Sequence, residues 1–255
     1  MTTHPTPRTR PTPVRSRAFT LASIAAVACA FVVAMQPASG AAGEAAFRIP
    51  ALAGAPMAEP ESGLATAVFA GGCFWGVQGV FQHTKGVVQA VSGYAGGSKA
   101  TAMYGLVGTG MTGHAEAVQV TYDPKQVTYA QLLQILFSVA HDPTQLNRQG
   151  PDHGTQYRSA VFFTTPAQQQ AAERYVAQLD AARAYPSKVV TQVAPLTAFY
   201  PAEAYHQDYA TLHPDSGYIA TFDLPKIANL KSLFPQWYRD EPVLVAGRTA
   251  ATLRR

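Results

Sequence analysis

The sequence predicts an α+β fold in which helices cover a β-sheet. Two observations carry that expectation. Between residues 64 and 238 apolar residues recur now at every second position and now at every third or fourth, and the segments follow in the order strand, helix, strand, strand, helix, strand, helix, strand. A chain of 255 residues, 47% hydrophobic and 13% charged, can bury one sizeable core. The net charge of +4 is concentrated at the start, where Arg8, Arg10, Arg15 and Arg17 meet no acid in the first 40 positions. The remainder carries as many basic as acidic residues, so it has no nucleic-acid footprint.

Those arginines precede Ala18 to Met35, an uncharged run of 18 residues, and QPASGAAGEAA follows with small residues suited to cleavage around Gly40 to Ala42. The order matches the n-, h- and c-regions of a secretory signal. The run also reaches the lower edge of a membrane span, so an uncleaved anchor is the alternative. Residues 1–41 thus read as signal peptide or N-terminal anchor, and in both cases the body is exported: periplasmic or secreted, membrane-attached only if the segment is retained. Cys29 lies inside the run as a small hydrophobe. Once the signal is removed Cys73 is the one cysteine left, which excludes an internal disulfide.

Residues 42–63, rich in Ala, Gly, Pro and Glu, read as a flexible linker. TAVFAGG then gives a strand that glycines end, and Phe74, Val77, Val80 and Phe81 recur at helical spacing, which places Cys73 at the helix N-terminus. Residues 87–92 suggest a second strand, followed by the glycine-rich stretch 93–113, long enough to be a functional loop. In HAEAVQVTYDP, Val118, Val120 and Tyr122 share one face by the period of two, and Glu116 has their parity, so a carboxylate is expected on a bulky apolar face. Thr128 with Gln131 resembles a capping box before the stripe Leu132, Leu133, Leu136, Phe137 and Ala140. YRSAVFF reads as a strand, Thr165-Pro166 opens a long helix, KVVTQVA reads as a strand, and helical signals follow at AEAYHQDYA and KIANLKSLF. Residues 239–255 read as a loose C-terminal tail.

A thiol at a helix N-terminus feels the positive end of the backbone dipoles, which favours thiolate, so Cys73 is a candidate nucleophile expected to be partly ionised near neutral pH. A carboxylate on an apolar face is desolvated, which raises its pKa, so Glu116 is a candidate proton donor. Tyr104 and Tyr157 are candidate hydrogen-bond donors to a polar ligand. The histidines show no paired ligand spacing, and residues 93–113 lack a phosphate-loop pattern, so neither a metal nor a nucleotide is expected.

GCFWG at 72–76, GYAGG at 93–97, TGHAEAV at 112–118, YDP at 122–124, HDPTQLNRQGPDHGTQYRSA at 141–160 and FYPAEAYHQDY at 199–209 together resemble the peptide methionine sulfoxide reductase A family. The resemblance spans residues 64–238 and implies a two-layer α/β sandwich of ferredoxin-like type with peripheral loops and helices. It implies that Cys73 attacks the sulfoxide sulfur, that Glu116 protonates its oxygen, and that Tyr104 and Tyr157 assist there. By the same resemblance Asp152 positions the substrate, and Phe74 with Trp75 receives its methyl group. The substrate implied is the S epimer of methionine sulfoxide, free or in exported proteins under oxidative stress, and the product on the enzyme is a sulfenic acid. No bound cofactor is implied. Residues 74–255 lack the further cysteines that some relatives use for recycling, so an external thiol is expected as reductant: a thioredoxin-like or glutaredoxin-like protein, or a small thiol.

Two alternatives stay open from the residues themselves. One is a thiol-dependent hydrolase or acyltransferase using His114 or His153 as base; the other is an exported binding protein for oxidised methionine. The roles of Phe199, Tyr200 and His206 also stay open.

Overall fold

The computed structural model describes residues 1–2, 46–54, 57, 59 and 63–245. Apart from Met1 and Thr2, the expected signal or anchor lies outside the described residues. Every regular element among the described residues belongs to the unit Gly40–Arg255. In chain order these are β1 (Ala65–Ala70), α1 (Phe74–Gln82), β2 (Val87–Ala95), α2 (Tyr104–Val107), β3 (Ala115–Tyr122), α3 (Tyr129–Ile135), β4 (Arg148–Gln149), β5 (Asp152–His153), β6 (Ala160–Phe163), α4 (Pro166–Ala181), β7 (Gln192–Pro195), β8 (Phe199–Pro201), α5 (Tyr209–Leu212) and α6 (Leu224–Leu233).

Six strands form one sheet in the order β7-β6-β1-β3-β2-β8, with β4 and β5 pairing separately. The inner four are antiparallel and follow a strand-helix-strand-strand-helix-strand path, the ferredoxin-like arrangement. After α4 the chain returns with β7 parallel to β6, the crossover a parallel pair requires. The two faces of the sheet differ. Ala67 and Phe69 from β1 join Val118, Val120 and Tyr122 from β3 in the main core, with Phe81, Leu132 and Leu133 from the covering helices. The opposite face is built of small residues, Ala70, Ala95, Ala115, Ala117 and Ala160, with Val68 and Phe162. Small side chains there let the segment carrying Leu196 and Phe199 lie against the sheet.

The capping box at the start of α3 is complete: Gln131 N donates to Thr128 Oγ1 at 3.2 Å, and Thr128 N donates to the Gln131 side chain at 2.8 Å. Thr165 likewise caps α4, with Pro166 at its first position. Elsewhere the elements depart from expectation. β2 runs on to Ala95, and the stretch 93–113 contains the one-turn helix α2, so it is not a continuous loop. Tyr157 ends a 3-10 turn (Thr155–Tyr157), and the strand expected from YRSAVFF begins only at Ala160. The last turn of the helix after Thr128 widens to a π-turn, Leu136–Ala140, and a second such turn, Ile219–Asp223, leads into α6.

Both segments read as loose are tied down where they are described. Ile49 is buried, its carbonyl accepting from Gln134 Nε2 at 2.7 Å, and the Tyr175 hydroxyl donates to Pro50 O at 2.7 Å. At the other end Val243 N donates to Gln82 O at 3.1 Å and Val245 N to Asp208 Oδ1 at 3.1 Å, and Leu244 is buried. Backbone bonds to a helix end and to a buried carboxylate, with Ile49 and Leu244 as buried anchors, hold these segments without regular structure of their own.

Candidate active site

GGCFWG turns the chain from β1 into α1. Gly72 sits at φ +90°, a conformation that side chains rarely adopt, and a Cβ there would lie 2.5 Å from Gln149 Cγ. Cys73 follows as the N-cap of α1 and is only 8% exposed. Glu116, the second residue of β3, lies on the same face as Val118 and is 2% exposed, as the parity of its strand requires. Its Oε2 accepts from Phe74 N at 3.0 Å, so the carboxyl satisfies one of the N–H groups that the start of α1 leaves without a helical partner. Burial pushes the Glu116 carboxyl up to about 8 against the pull of that N–H, and the neighbouring Asp152 and Asp223 add to the rise.

The thiol does not behave as the sequence led us to expect. Burial pushes the Cys73 thiol well above its ordinary range, and the charges of Glu116 and Asp223 push the same way. The Trp75 backbone N–H and the Lys226 ammonium pull it down, but desolvation outweighs them. At neutral pH the unliganded site therefore holds a thiol beside a carboxylic acid.

Phe74 is fully buried between Tyr94 and His206, with ring centroids 6.0 Å and 5.1 Å away. Trp75 is half-buried; its Nε1 donates to His206 Nδ1 at 3.3 Å and its ring stacks on Tyr209 at 4.0 Å. Tyr104, the first residue of α2, lies with its ring 4.3 Å from that of His206. Burial raises the pKa of the Tyr104 and Tyr157 hydroxyls, and for both the Glu116 and Cys73 charges act in the same direction. Both phenols thus remain protonated donors within the field of the same two groups. Asp152 accepts a hydrogen bond from the Tyr218 hydroxyl and lines a narrow crevice with Cys73, Gln149, Phe222 and Lys226. The structure so brings together Cys73, Phe74, Trp75, Tyr104, Glu116, Asp152 and Tyr157 from five separate stretches of chain. Among the described residues no group of three or more His, Cys, Asp or Glu side chains is placed to hold a metal ion.

The family model for peptide methionine sulfoxide reductase matches residues 65–237, which is most of the chain and all of this site. The chain belongs to the peptide methionine sulfoxide reductase family. It is an oxidoreductase acting on methionine sulfoxide. A relative from Mesorhizobium japonicum, peptide methionine sulfoxide reductase MsrA 2, is 63% identical over 183 residues, covering 72% of this chain and 94% of the relative. The MsrA 2 protein of a Synechocystis strain is 48% identical over 186 residues, with 73% and 85% covered. Among solved structures, the chain resembles reduced Mxr1 from Saccharomyces cerevisiae at a TM-score of 0.55 and 34% identity, covering 63% of this chain and 90% of that one. Methionine sulfoxide reductase A of Corynebacterium diphtheriae gives 0.53 and 39%, with 61% and 77% covered.

Within this reductase, His114 does not offer a free base. Its Nδ1 accepts from Gly97 N at 3.2 Å and its Nε2 lies 2.9 Å from Ser98 O, so both ring nitrogens serve the loop. His153 is exposed on the two-residue strand β5. Phe199 and Tyr200, left open above, form β8 against β2. His206 packs on Phe74, Trp75 and Tyr104. Sequence reasoning missed Tyr218 and Lys226, which line the crevice from the start of the second π-turn and from α6, and Asp223, buried 3.5 Å from Lys226; no local pattern around them announces a site.

Proposed function

We propose that this protein repairs oxidised methionine by reducing the S epimer of methionine sulfoxide, with Cys73 as nucleophile and Glu116 as proton donor. The observation that supports it most is the pairing of a buried thiol with a buried carboxyl whose proton is retained up to about pH 8. Cys73 Sγ attacks the sulfoxide sulfur while Glu116 gives its proton to the sulfoxide oxygen, so charge does not build up on a poor leaving group. The hydroxyls of Tyr104 and Tyr157 donate to the same oxygen. The thiol proton returns to Glu116. The bond this attack forms between Sγ and the substrate sulfur then breaks together with the substrate S–O bond as the hydroxyl passes to Sγ, so the thioether leaves as methionine and Cys73 becomes a sulfenic acid. Two electrons have moved from Cys73 to the substrate.

Because the resting group is a thiol, ionisation of Cys73 belongs to the substrate-bound state, where the sulfoxide oxygen draws on the Glu116 proton. Phe74 and Trp75 form the apolar wall for the methyl group, and Asp152, held by Tyr218, orients the rest of the substrate. An external thiol then forms a mixed disulfide with Cys73 and releases water; a second thiol frees the enzyme. We place the protein outside the cytoplasm on the strength of the N-terminal pattern of residues 1–41. The functional test is a matched assay on both sulfoxide epimers. Turnover of the S epimer by the wild type and none by Cys73→Ser is expected, and turnover of the R epimer alone would overturn the proposal.

A further inference from the structure

The Tyr104 phenol sits on a segment with little means of holding itself in place. α2 is a single turn of four residues, with Gly105 inside it and Gly108 and Gly110 just beyond, and Val107 is its one fully buried side chain. An isolated turn of this length does not persist in water, because nucleating a helix fixes several residues for one hydrogen bond. Its position must come from tertiary bonds.

Two sets supply them. At its start, Tyr104 N donates to Glu203 Oε1 at 2.9 Å, and the other carboxylate oxygen, Oε2, accepts from the Tyr94 hydroxyl at 2.8 Å. Tyr94 is fully buried in β2, so Glu203 ties the start of α2 to the sheet. The segment bearing Glu203 is itself fixed: Ala202 N donates to Ser92 O at 2.9 Å, and the Gln207 side chain bonds both Ser92 N and Ser92 O. Three residues after Glu203, the His206 ring lies against the Tyr104 ring. At the far end, Gln156 Nε2 donates to Gly108 O at 3.3 Å and Thr155 Oγ1 to Gly110 O at 2.6 Å. Thr155 and Gln156 belong to the turn that ends in Tyr157.

We infer that Glu203 is a positioning residue, one jaw of a two-ended clamp whose other jaw is Thr155–Gln156, and that this clamp presents the Tyr104 phenol to the sulfoxide oxygen in register with Tyr157. The inference rests on the proposed role of Tyr104. It requires the two hydrogen bonds of the Glu203 side chain rather than its charge, since a glutamine can accept from Tyr104 N and donate to the Tyr94 oxygen.

The test is the single-turnover rate of pre-reduced full-length enzyme with N-acetylmethionine-S-sulfoxide, measured for wild type, Tyr104→Phe, Glu203→Ala, Glu203→Gln and the double variant Tyr104→Phe/Glu203→Ala. Glu203→Ala is expected to slow the saturated rate about 10- to 100-fold, the scale on which a small misplacement of a reacting group acts. In the Tyr104→Phe background the same change should cost no more than about twofold, because coupled residues are not additive. Glu203→Gln should retain the rate within about threefold, since its bonds are kept. A wild-type rate for Glu203→Ala with a slow Tyr104→Phe would overturn the clamp alone. So would a full loss in both backgrounds, or a glutamine variant as slow as the alanine one. A wild-type rate for Tyr104→Phe would overturn the role of Tyr104 and the clamp together. Should Glu203→Ala not fold, Thr155→Val cuts the other jaw; it must slow the enzyme when Tyr104 is present and not in the Tyr104→Phe background.

Discussion

At Glu116 a carboxyl is kept as an acid by its surroundings. The folded protein holds a proton there up to about pH 8, whereas the unfolded chain releases it in the ordinary carboxylate range. Between those limits the folded state binds more protons than the unfolded one, so this group's contribution to stability falls as pH rises towards 8 and changes no further above it. Glu116→Gln removes the titration. Its melting temperature should therefore gain on that of the wild type from about pH 5 to pH 8, while its single-turnover rate falls at least about 100-fold. A gap in melting temperature that does not change with pH would contradict a retained proton. For Cys73, thiolate absorbance at 240 nm, taken as wild type minus Cys73→Ser, should be absent at neutral pH in the unliganded enzyme and appear only at high pH. Ionisation below pH 7 would contradict the burial argument. The position of Glu116 was legible from strand parity alone. The state of Cys73 was not, because a helix N-terminus is visible in a pattern of residues whereas the desolvation that outweighs it comes from packing distant in sequence, to which the charges of Glu116 and Asp223 add.

At the level of elements, local rules held where a few neighbouring residues decide the outcome. Thr128 and Gln131 cap α3 as their spacing implies, and Thr128→Ala should lower unfolding free energy by about 1 kcal/mol in a denaturant titration. Gly76 answers to a different constraint. A Cβ at that position would lie 2.1 Å from Asp223 Oδ1, so Gly76→Ala must move either the first turn of α1 or the π-turn that carries Asp223. Both moves disturb the crevice beside Cys73, and the variant should lose about 1–3 kcal/mol of stability together with most of its reductase rate. Retention of both would show that Asp223 does not need this close approach. Elements set by tertiary pairing escaped the sequence. β8 is three residues ending in proline and exists through its pairing with β2, and α2 is held by side chains from elsewhere. The two π-turns have no pattern of their own.

Over the whole molecule a sheet covered by helices was readable because each strand and helix of the inner sheet carries its own periodicity, while its ferredoxin-like arrangement was what the family resemblance implied. The placement of residues 46–54 and 239–245 was not readable, since they are held by backbone hydrogen bonds and by isolated apolar side chains such as Ile49 and Leu244, which make no periodic pattern. Redox economy also belongs to this scale. Residues 74–255 contain no cysteine, and Cys73 is the free cysteine among the described residues, so in the proposed cycle the oxidised enzyme waits for a thiol from another molecule. The most direct test is one turnover without reductant: fully reduced enzyme and excess methionine-S-sulfoxide, then dimedone and peptide mass spectrometry. One methionine released per enzyme, with the dimedone adduct on Cys73, is the predicted result. Methionine released with Cys73 unmodified, or with Cys73 in an internal disulfide, would contradict it.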